Sequence, residues 1–190
     1  MAFNPIVLFD ACVLYPAPLR DLLMHLAQTP LFRAKWTNDI HEEWIRNLLK
    51  NRVDIKREQL ERTRDLMNNA IRDCLVTGYE SIISGLKLPD ANDRHVLAAA
   101  IRSNADTILT YNLKDFPENL LKEFNIEAQH PDDFLSSLID IAAETVCTTI
   151  KIRRTSLKNP PKTPDEYLEI LKKHSLPQTV SLLHEYRLLI

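Results

Sequence analysis

The stretch from Leu88 to Pro117 constrains the fold of this chain most, because it combines a helix, a strand and acidic residues within thirty positions. A Pro-Asp pair predicts a helix that begins near Ala91. The short apolar run Thr107–Leu109 predicts a buried parallel strand. Helical spacing places Asp93 at the edge of the apolar face of the helix, and Asp115 follows the strand after one turn. The pattern is typical of an α/β fold.

The acidic residues of this stretch have two interpretations. Ligands of open α/β sheets collect at the carboxyl ends of the strands, so acids there can share one site. Like charges in a shared site cost free energy unless one is protonated or a cation neutralises them. One interpretation is therefore a Mg²⁺ or Mn²⁺ site with oxygen ligands. The other is that Asp90 and Asp93 only cap a helix and Asp115 only ends a turn.

The composition excludes several classes of protein. Hydrophobic residues make up 45% of the chain and charged residues 26%, as in soluble globular proteins. No apolar run approaches the roughly 18 residues that span a bilayer, and the first residues lack a basic signal region, so we expect a cytoplasmic protein. Only two glycines occur, which excludes a P-loop and a dinucleotide-binding fingerprint. The three cysteines lack metal-ligand spacing, and we expect them to be reduced.

The net charge of -2 hides an uneven distribution. Residues 46–64 contain seven Lys or Arg against three acids, and residues 146–190 contain eight against four, so each segment carries +4. The rest of the chain is acidic. Such segments are usually solvated helix faces. They are also the candidates for contacts with the phosphates of a nucleic acid.

The first half of the chain supplies further acids next to predicted elements. Ile6–Phe9 predicts a central parallel strand that ends at Asp10. A second strand is predicted within residues 32–37, and Thr37 or the next residue should cap a helix. Glu42 and Glu43 lie early in that helix, and its wheel geometry does not choose between them as functional residues.

The end of the chain is predicted to be helical, without a catalytic signature. Residues 132–147 predict one or two helices, and the Asn-Pro-Pro sequence at 159–161 then interrupts the helical pattern. Thr163 and Glu166 form a capping box for a helix that continues to Lys173. A last helix is predicted over residues 175–188, with Val180, Leu183 and Leu188 as apolar positions.

Four segments together resemble the acidic blocks of a PIN domain, and more narrowly those of the VapC-type toxin ribonucleases: IVLFDACVLYP, TNDIHEEWIRNLL, LPDANDRHVLAAAI and TILTYNLKDFP. The segment QHPDDFL and the helical tail after it resemble the C-terminal part of one subgroup. The resemblance implies a three-layer α/β/α fold with a mainly parallel sheet over residues 1–130. It also implies a helical C-terminal extension over residues 131–190.

The resemblance also implies the site residues. Asp10, Glu43, Asp93 and Asp115 match the four catalytic and metal-binding acids, with Glu42 as the alternative to Glu43. The accessory positions are Thr110, Asn112 and Asp90, the last of which is either a helix cap or an outer-shell ligand. Arg94 and His95 match the subgroup without a clear chemical role. We expect Mg²⁺, or Mn²⁺, as the cofactor.

A metal-dependent endoribonuclease of a toxin–antitoxin pair is therefore the function that we predict. The expected partners are RNA, a cognate antitoxin protein and a second copy of the chain in a homodimer. The candidate RNA contacts are basic residues of the two positive segments: Arg46, Lys50, Arg52, Arg153 and Arg154. The alternative is a catalytically silent PIN module that binds nucleic acid. A phosphoacceptor receiver domain is disfavoured because no strand-terminal Asp lies mid-chain, and an aspartyl phosphatase because Cys12 stands where a second Asp is needed.

Overall fold

The computed structural model describes residues 4–190, which fall into two compact units. The first unit comprises the chain up to Tyr15 together with Phe32–His130, and the second comprises Pro16–Leu31 together with Pro131–Ile190. The sequence did not predict that residues 16–31 belong with the C-terminal segment, and a domain boundary at residue 130 stays a prediction. Over the described residues, no helix is both long and apolar enough to cross a membrane.

The first unit is built on a four-stranded parallel sheet with the strand order β2-β1-β3-β4. The strands are β1 (Ile6–Phe9), β2 (Arg33–Lys35), β3 (Thr107–Leu109) and β4 (Glu127–Gln129). Phe9 is the register partner of Leu109, so the two central strands end side by side. The α/β fold with a parallel sheet, and the strand character of β1 and β3, are confirmed.

Helices make up most of the remaining chain. In chain order they are α1 (Ala11–Leu14), α2 (Ala17–Leu26), α3 (Asn38–Asn51), α4 (Arg57–Ala70), α5 (Glu80–Ile83), α6 (Arg94–Arg102), α7 (Glu118–Leu121), α8 (Pro131–Ser156), α9 (Pro164–Lys172) and α10 (Pro177–Glu185). Short 3₁₀ turns cover Ala91–Asp93, Leu113–Asp115 and Lys122–Phe124. The helix that we predicted near Ala91 therefore begins with a 3₁₀ turn and becomes α-helical at Arg94.

Helix α3 is fixed by a local cap and by a buried polar network. The Thr37 side chain accepts a hydrogen bond from the Ile40 amide at 3.0 Å, which confirms Thr37 as the cap. On the buried face, His41 Nε2 lies 3.0 Å from Asn68 Oδ1, which also accepts a 2.8 Å hydrogen bond from the Trp36 indole. Trp44 Nε1 donates to His41 Nδ1 at 3.0 Å. Because Nδ1 accepts, Nε2 carries the hydrogen and donates to Asn68.

In the second unit, Asp132 joins the start of α8 to the start of α10. Its buried carboxylate accepts hydrogen bonds from the amides of Gln178 and Thr179 and from the Thr179 hydroxyl, at 2.9, 2.8 and 2.7 Å. These amides lie in the first turn of α10, where no intrahelical acceptor exists, so Asp132 supplies the cap that the local sequence lacks.

The predictions for the C-terminal helices are partly correct. The Thr163–Glu166 capping box is confirmed by its two reciprocal hydrogen bonds, of 2.8 and 3.2 Å. Helix α8 runs nine residues beyond the predicted end at Cys147, with a kink at Ala142, where the backbone angles leave the helical region. The prediction that the last helix continues to Leu188 is wrong, because α10 ends at Glu185, and Leu188 is 93% exposed.

Candidate metal centre

Asp10 is the most firmly held of the candidate acids. It directly follows β1 and caps α1, and it is only 3% exposed. Its Oδ1 accepts a 2.6 Å hydrogen bond from the Ala11 amide, and its Oδ2 accepts bonds from the Thr110 hydroxyl at 2.7 Å and from Cys12 Sγ at 3.1 Å. Burial raises the pKa of Asp10, and the charge of Glu43 raises it further, whereas these hydrogen bonds oppose the rise. A fixed, partly desolvated carboxylate of this kind is suited to binding a cation.

Thr110 lies beside Asp10 because β1 and β3 end in register. Its side chain is fully buried, and its Oγ1 donates to Asp10 while accepting a 3.0 Å hydrogen bond from the Asn112 amide. Cys12 completes this arrangement, since its sulfur accepts a 3.2 Å bond from the Tyr111 amide. Cys12 was expected only to be reduced, and its spacing of two from Asp10 was the available signal for a contact.

Asp93 shows the electrostatic effect of neighbouring acids. It lies at the junction of the 3₁₀ turn and α6, where its side chain caps no amide. Burial raises its pKa to about 7, together with the charges of Asp10, Asp90, Asp115 and Glu43. The four neighbouring acids therefore add to the effect of burial on the Asp93 carboxyl, as like charges in one site do.

The structure distinguishes Glu42 from Glu43, which the sequence could not. Both carboxylate oxygens of Glu42 accept hydrogen bonds from Arg57 of α4, at 2.7 and 3.1 Å, and this interaction lowers the pKa of Glu42. Glu43 instead faces His95, with 3.3 Å between Oε2 and Nε2, and acts on the pKa of both Asp10 and Asp93. The geometry supports Glu43 as the second acid.

Glu43 favours the protonated, positively charged form of His95. Burial alone lowers the pKa of His95, but the hydrogen bond to Glu43 and the charges of Glu43, Asp39 and Asp10 outweigh burial and raise it. A protonated His95 places one positive charge against the acidic cluster. This contact gives His95 a physical role that its sequence position did not reveal.

Most of the candidate residues line one cavity of about 620 Å³ in the first unit, but Asp10 and Thr110 are not among its lining residues. Its walls are formed mainly by acids and amides: Asp39, Glu42, Glu43, Arg46, Asn47, Asp90, Asn92, Asp93, His95, Asn112 and Asp115. Asp90 also accepts a 2.8 Å hydrogen bond from the Asn92 amide, so it caps the 3₁₀ turn while lining the cavity. Asp39 was not predicted as a site residue, although its spacing of four before Glu43 on α3 was a usable signal.

The donor set of the cavity fits a hard divalent cation. Its acids and amides offer oxygen ligands, which suit Mg²⁺ or Mn²⁺, and a cation would offset the repulsion that, after burial, helps to raise the pKa of Asp93. Within residues 4–190, however, no group of three His, Cys, Asp or Glu side chains is gathered closely enough to hold an ion. Mg²⁺ keeps several waters and binds few carboxylates directly, so a wider arrangement of acids still suits it.

The predicted RNA contacts fall into three environments. Arg46 lines the acidic cavity, and Lys50 is exposed on the same helix. Arg52 forms a 2.7 Å ion pair with Asp54. In the second unit, Arg153 is ion-paired with Asp21 at 2.5 Å, and Arg154 donates to the Lys162 carbonyl at 2.6 Å. These internal contacts of Arg153 and Arg154 give no support to RNA binding, which stays a prediction for both.

Comparison with known proteins finds a family match for the N-terminal part of the chain and another for the C-terminal part. A PIN-domain family model matches residues 6–114, and a model of the VapC50 C-terminal domain matches residues 131–185. A curated protein of Mycobacterium tuberculosis, named "Putative ribonuclease VapC50", is 39% identical over 103 residues, which are 54% of this chain and 60% of that protein. The match thus spans about three-fifths of that relative's length. No solved structure matches the chain significantly. The predicted family is confirmed: the chain belongs to the PIN-domain family and carries a C-terminal domain of the VapC50 type.

Proposed function

We propose that this chain is a metal-dependent endoribonuclease and the toxin of a toxin–antitoxin pair. The observation that carries the proposal is the convergence of Glu43, Asp93 and Asp115 on one cavity whose charge also reaches Asp10. The PIN-domain match and the ribonuclease named among its relatives support the same function. The antitoxin partner, the homodimer and the cytoplasmic location rest on the family resemblance alone.

Asp10 and Asp115 would hold the principal ion, with Asp93 and Glu43 completing the site. When bound, Mg²⁺ or Mn²⁺ offsets negative charge on phosphoryl oxygens and lowers the pKa of the attacking water. The hydrogen bonds from Thr110 and Cys12 keep Asp10 oriented, so little reorganisation is needed when the substrate arrives. Products with 3′-hydroxyl and 5′-phosphate ends are expected.

Asp93 and Glu43 would position the attacking water as they complete the site. Asp93 lines the cavity at the start of α6, where its side chain caps no amide, so its carboxylate is available for that role. Glu43 is held by His95, whose ring nitrogen lies 3.3 Å from its carboxylate. The pair fixes the orientation of Glu43 toward the cavity.

The proposal is tested by incubating the purified full chain with total cellular RNA in Mg²⁺, in Mn²⁺ and in EDTA. We expect cleavage with either metal and none in EDTA. Asp10→Asn should abolish cleavage, whereas Asp140→Asn, which changes an exposed acid of α8, serves as the matched control and should cleave like wild type. If folded wild-type protein cleaves no RNA with any metal but still binds it, the catalytically silent module becomes the better account.

A further inference from the structure

Arg46 occupies an unusual position on the wall of the acidic cavity. It is the only Lys or Arg among the residues that line this cavity in the described structure. It lies three residues after Glu43 and seven after Asp39, so helical spacing places all three on one face of α3. The Arg46 side chain is exposed, and within residues 4–190 it forms neither a hydrogen bond nor an ion pair.

The local sequence alone would pair Arg46 with Glu42. An acid four residues before an arginine is the favoured arrangement for an ion pair along a helix. The fold prevents this pairing, because Arg57 of α4 binds both oxygens of Glu42 in a bidentate fashion, at 2.7 and 3.1 Å. Two parallel charge-assisted hydrogen bonds hold a carboxylate better than one flexible contact along a helix. The charge of Arg46 still helps to lower the pKa of Glu42, after the larger effect of Arg57, but within residues 4–190 the Arg46 guanidinium forms no hydrogen bond or ion pair with that carboxylate. Its donors therefore stay available beside the acids.

We propose that Arg46 binds an RNA phosphate at the mouth of the catalytic cavity, and that Arg57 is a positioning residue that keeps Arg46 free by holding Glu42. The inference rests on the proposed ribonuclease function and names the side chain that brings the polyanion to the site. A planar guanidinium with several donors matches a phosphate in a bidentate fashion. An acidic cavity needs such a cation, because its carboxylates otherwise repel RNA.

The next free cation along α3 indicates where the RNA strand leaves the cavity. Lys50 lies one turn beyond Arg46, about 6 Å further along the helix axis, and is also exposed. Arg52, in contrast, is engaged by Asp54 through two hydrogen bonds of 2.8 and 2.7 Å. The exposed face of α3 therefore carries two basic side chains, Arg46 and Lys50, that form no ion pair within residues 4–190.

The test measures binding of a fluorescein-labelled single-stranded RNA by fluorescence anisotropy. Titrations are run in Ca²⁺, with intact RNA verified on a gel afterwards, and again in EDTA, so that binding is scored separately from catalysis. The Arg46→Ala variant should bind about tenfold more weakly, as expected for the loss of a charge-assisted hydrogen bond. The slope of the logarithm of its binding constant against the logarithm of the salt concentration should be smaller in magnitude by about 0.7, the value for one phosphate contact on a single strand.

Arg72→Ala is the matched control, because Arg72 is exposed, lies outside the cavity and carries the same charge. We expect its affinity to stay within about twofold of wild type, since it removes no phosphate contact. If Arg46→Ala and Arg72→Ala have the same affinity and salt slope, Arg46 does not bind the phosphate. If wild type binds RNA through Arg46 but cleaves nothing, the ribonuclease proposal fails while the Arg46 inference stands.

The role of Arg57 is tested by a second pair of variants. Arg57→Ala releases Glu42, which can then compete for Arg46, and a helical ion pair of this kind should weaken RNA binding about twofold to threefold. Combining Arg57→Ala with Glu42→Gln should recover most of that loss, because the amide no longer neutralises Arg46. If Arg57→Ala weakened RNA binding only because it misfolds, the added change Glu42→Gln would not restore RNA affinity. Failure of the double variant to recover would overturn the positioning role.

Discussion

Replacing Asp93 by Asn should stabilise the metal-free protein at alkaline pH. Burial and the neighbouring acids raise the pKa of this carboxyl from 3.8 to about 7 in the folded protein. The unfolded chain retains an ordinary pKa, so the folded state binds the proton more tightly. The contribution of Asp93 to folding is therefore fully present below about pH 4 and is lost as the pH rises through about 7.

The size of the effect follows from the same values. The difference between about 7 and 3.8 would correspond to about 4 kcal/mol if the carboxyl were fully desolvated. Asp93 is partly exposed, and solvent and counter-ions screen its neighbours. The difference in free energy of unfolding between Asp93→Asn and wild type should therefore shift by roughly 1–2 kcal/mol in favour of the variant when the pH is raised from 5 to 8.5.

Urea denaturation in EDTA at both pH values measures this difference directly. Asp140→Asn, which changes an exposed acid outside the cavity, is the control and should show no pH-dependent difference from wild type. If the difference in free energy of unfolding between Asp93→Asn and wild type is the same at pH 5 and pH 8.5, the reasoning is refuted. Such a result would mean that burial and the neighbouring acids do not raise the pKa of Asp93 in the folded protein.

Three further substitutions test individual contacts. Asp132→Ala removes the cap of α10 and should lower the free energy of unfolding by about 2–3 kcal/mol in urea denaturation. Asn68→Ala leaves the buried indole N–H of Trp36 without its acceptor and should cost about 1–3 kcal/mol by the same assay. Thr110→Val removes the 2.7 Å hydrogen bond to Asp10 and should reduce RNA cleavage about tenfold in protein that circular dichroism shows to be folded; unchanged cleavage would show that Asp10 needs no such support.

The elements that position the site could be predicted because their signals are local. The apolar run before Asp10 is too short and too continuous for an amphipathic helix, and it becomes the central strand β1. Thr37 is a polar residue directly before a helical pattern, and it caps α3. The end of the last helix marks the limit of such arguments, since the apolar pattern extended the predicted helix to Leu188, although α10 ends three residues earlier, at Glu185.

The contacts that give the site its chemistry depend on residues distant in sequence. The difference between Glu42 and Glu43 comes from Arg57, which belongs to another helix and binds both carboxylate oxygens of Glu42. Cys12 contacts Asp10 nearby, but its environment is completed by the Tyr111 amide from the end of β3. Such contacts cannot be predicted from periodicity in the sequence, because they form only when the sheet and the helices pack together.

The most direct test of the account is the binding of Mn²⁺ to the metal-free protein by isothermal titration calorimetry. The central claim is that Asp10, Glu43, Asp93 and Asp115 surround one divalent-cation site. Wild type should bind Mn²⁺, and Asp10→Asn and Asp115→Asn should each weaken binding at least about tenfold, since each removes a charged ligand. Absence of Mn²⁺ binding by folded wild type, or binding by both variants that is as tight as that of wild type, would contradict the claim.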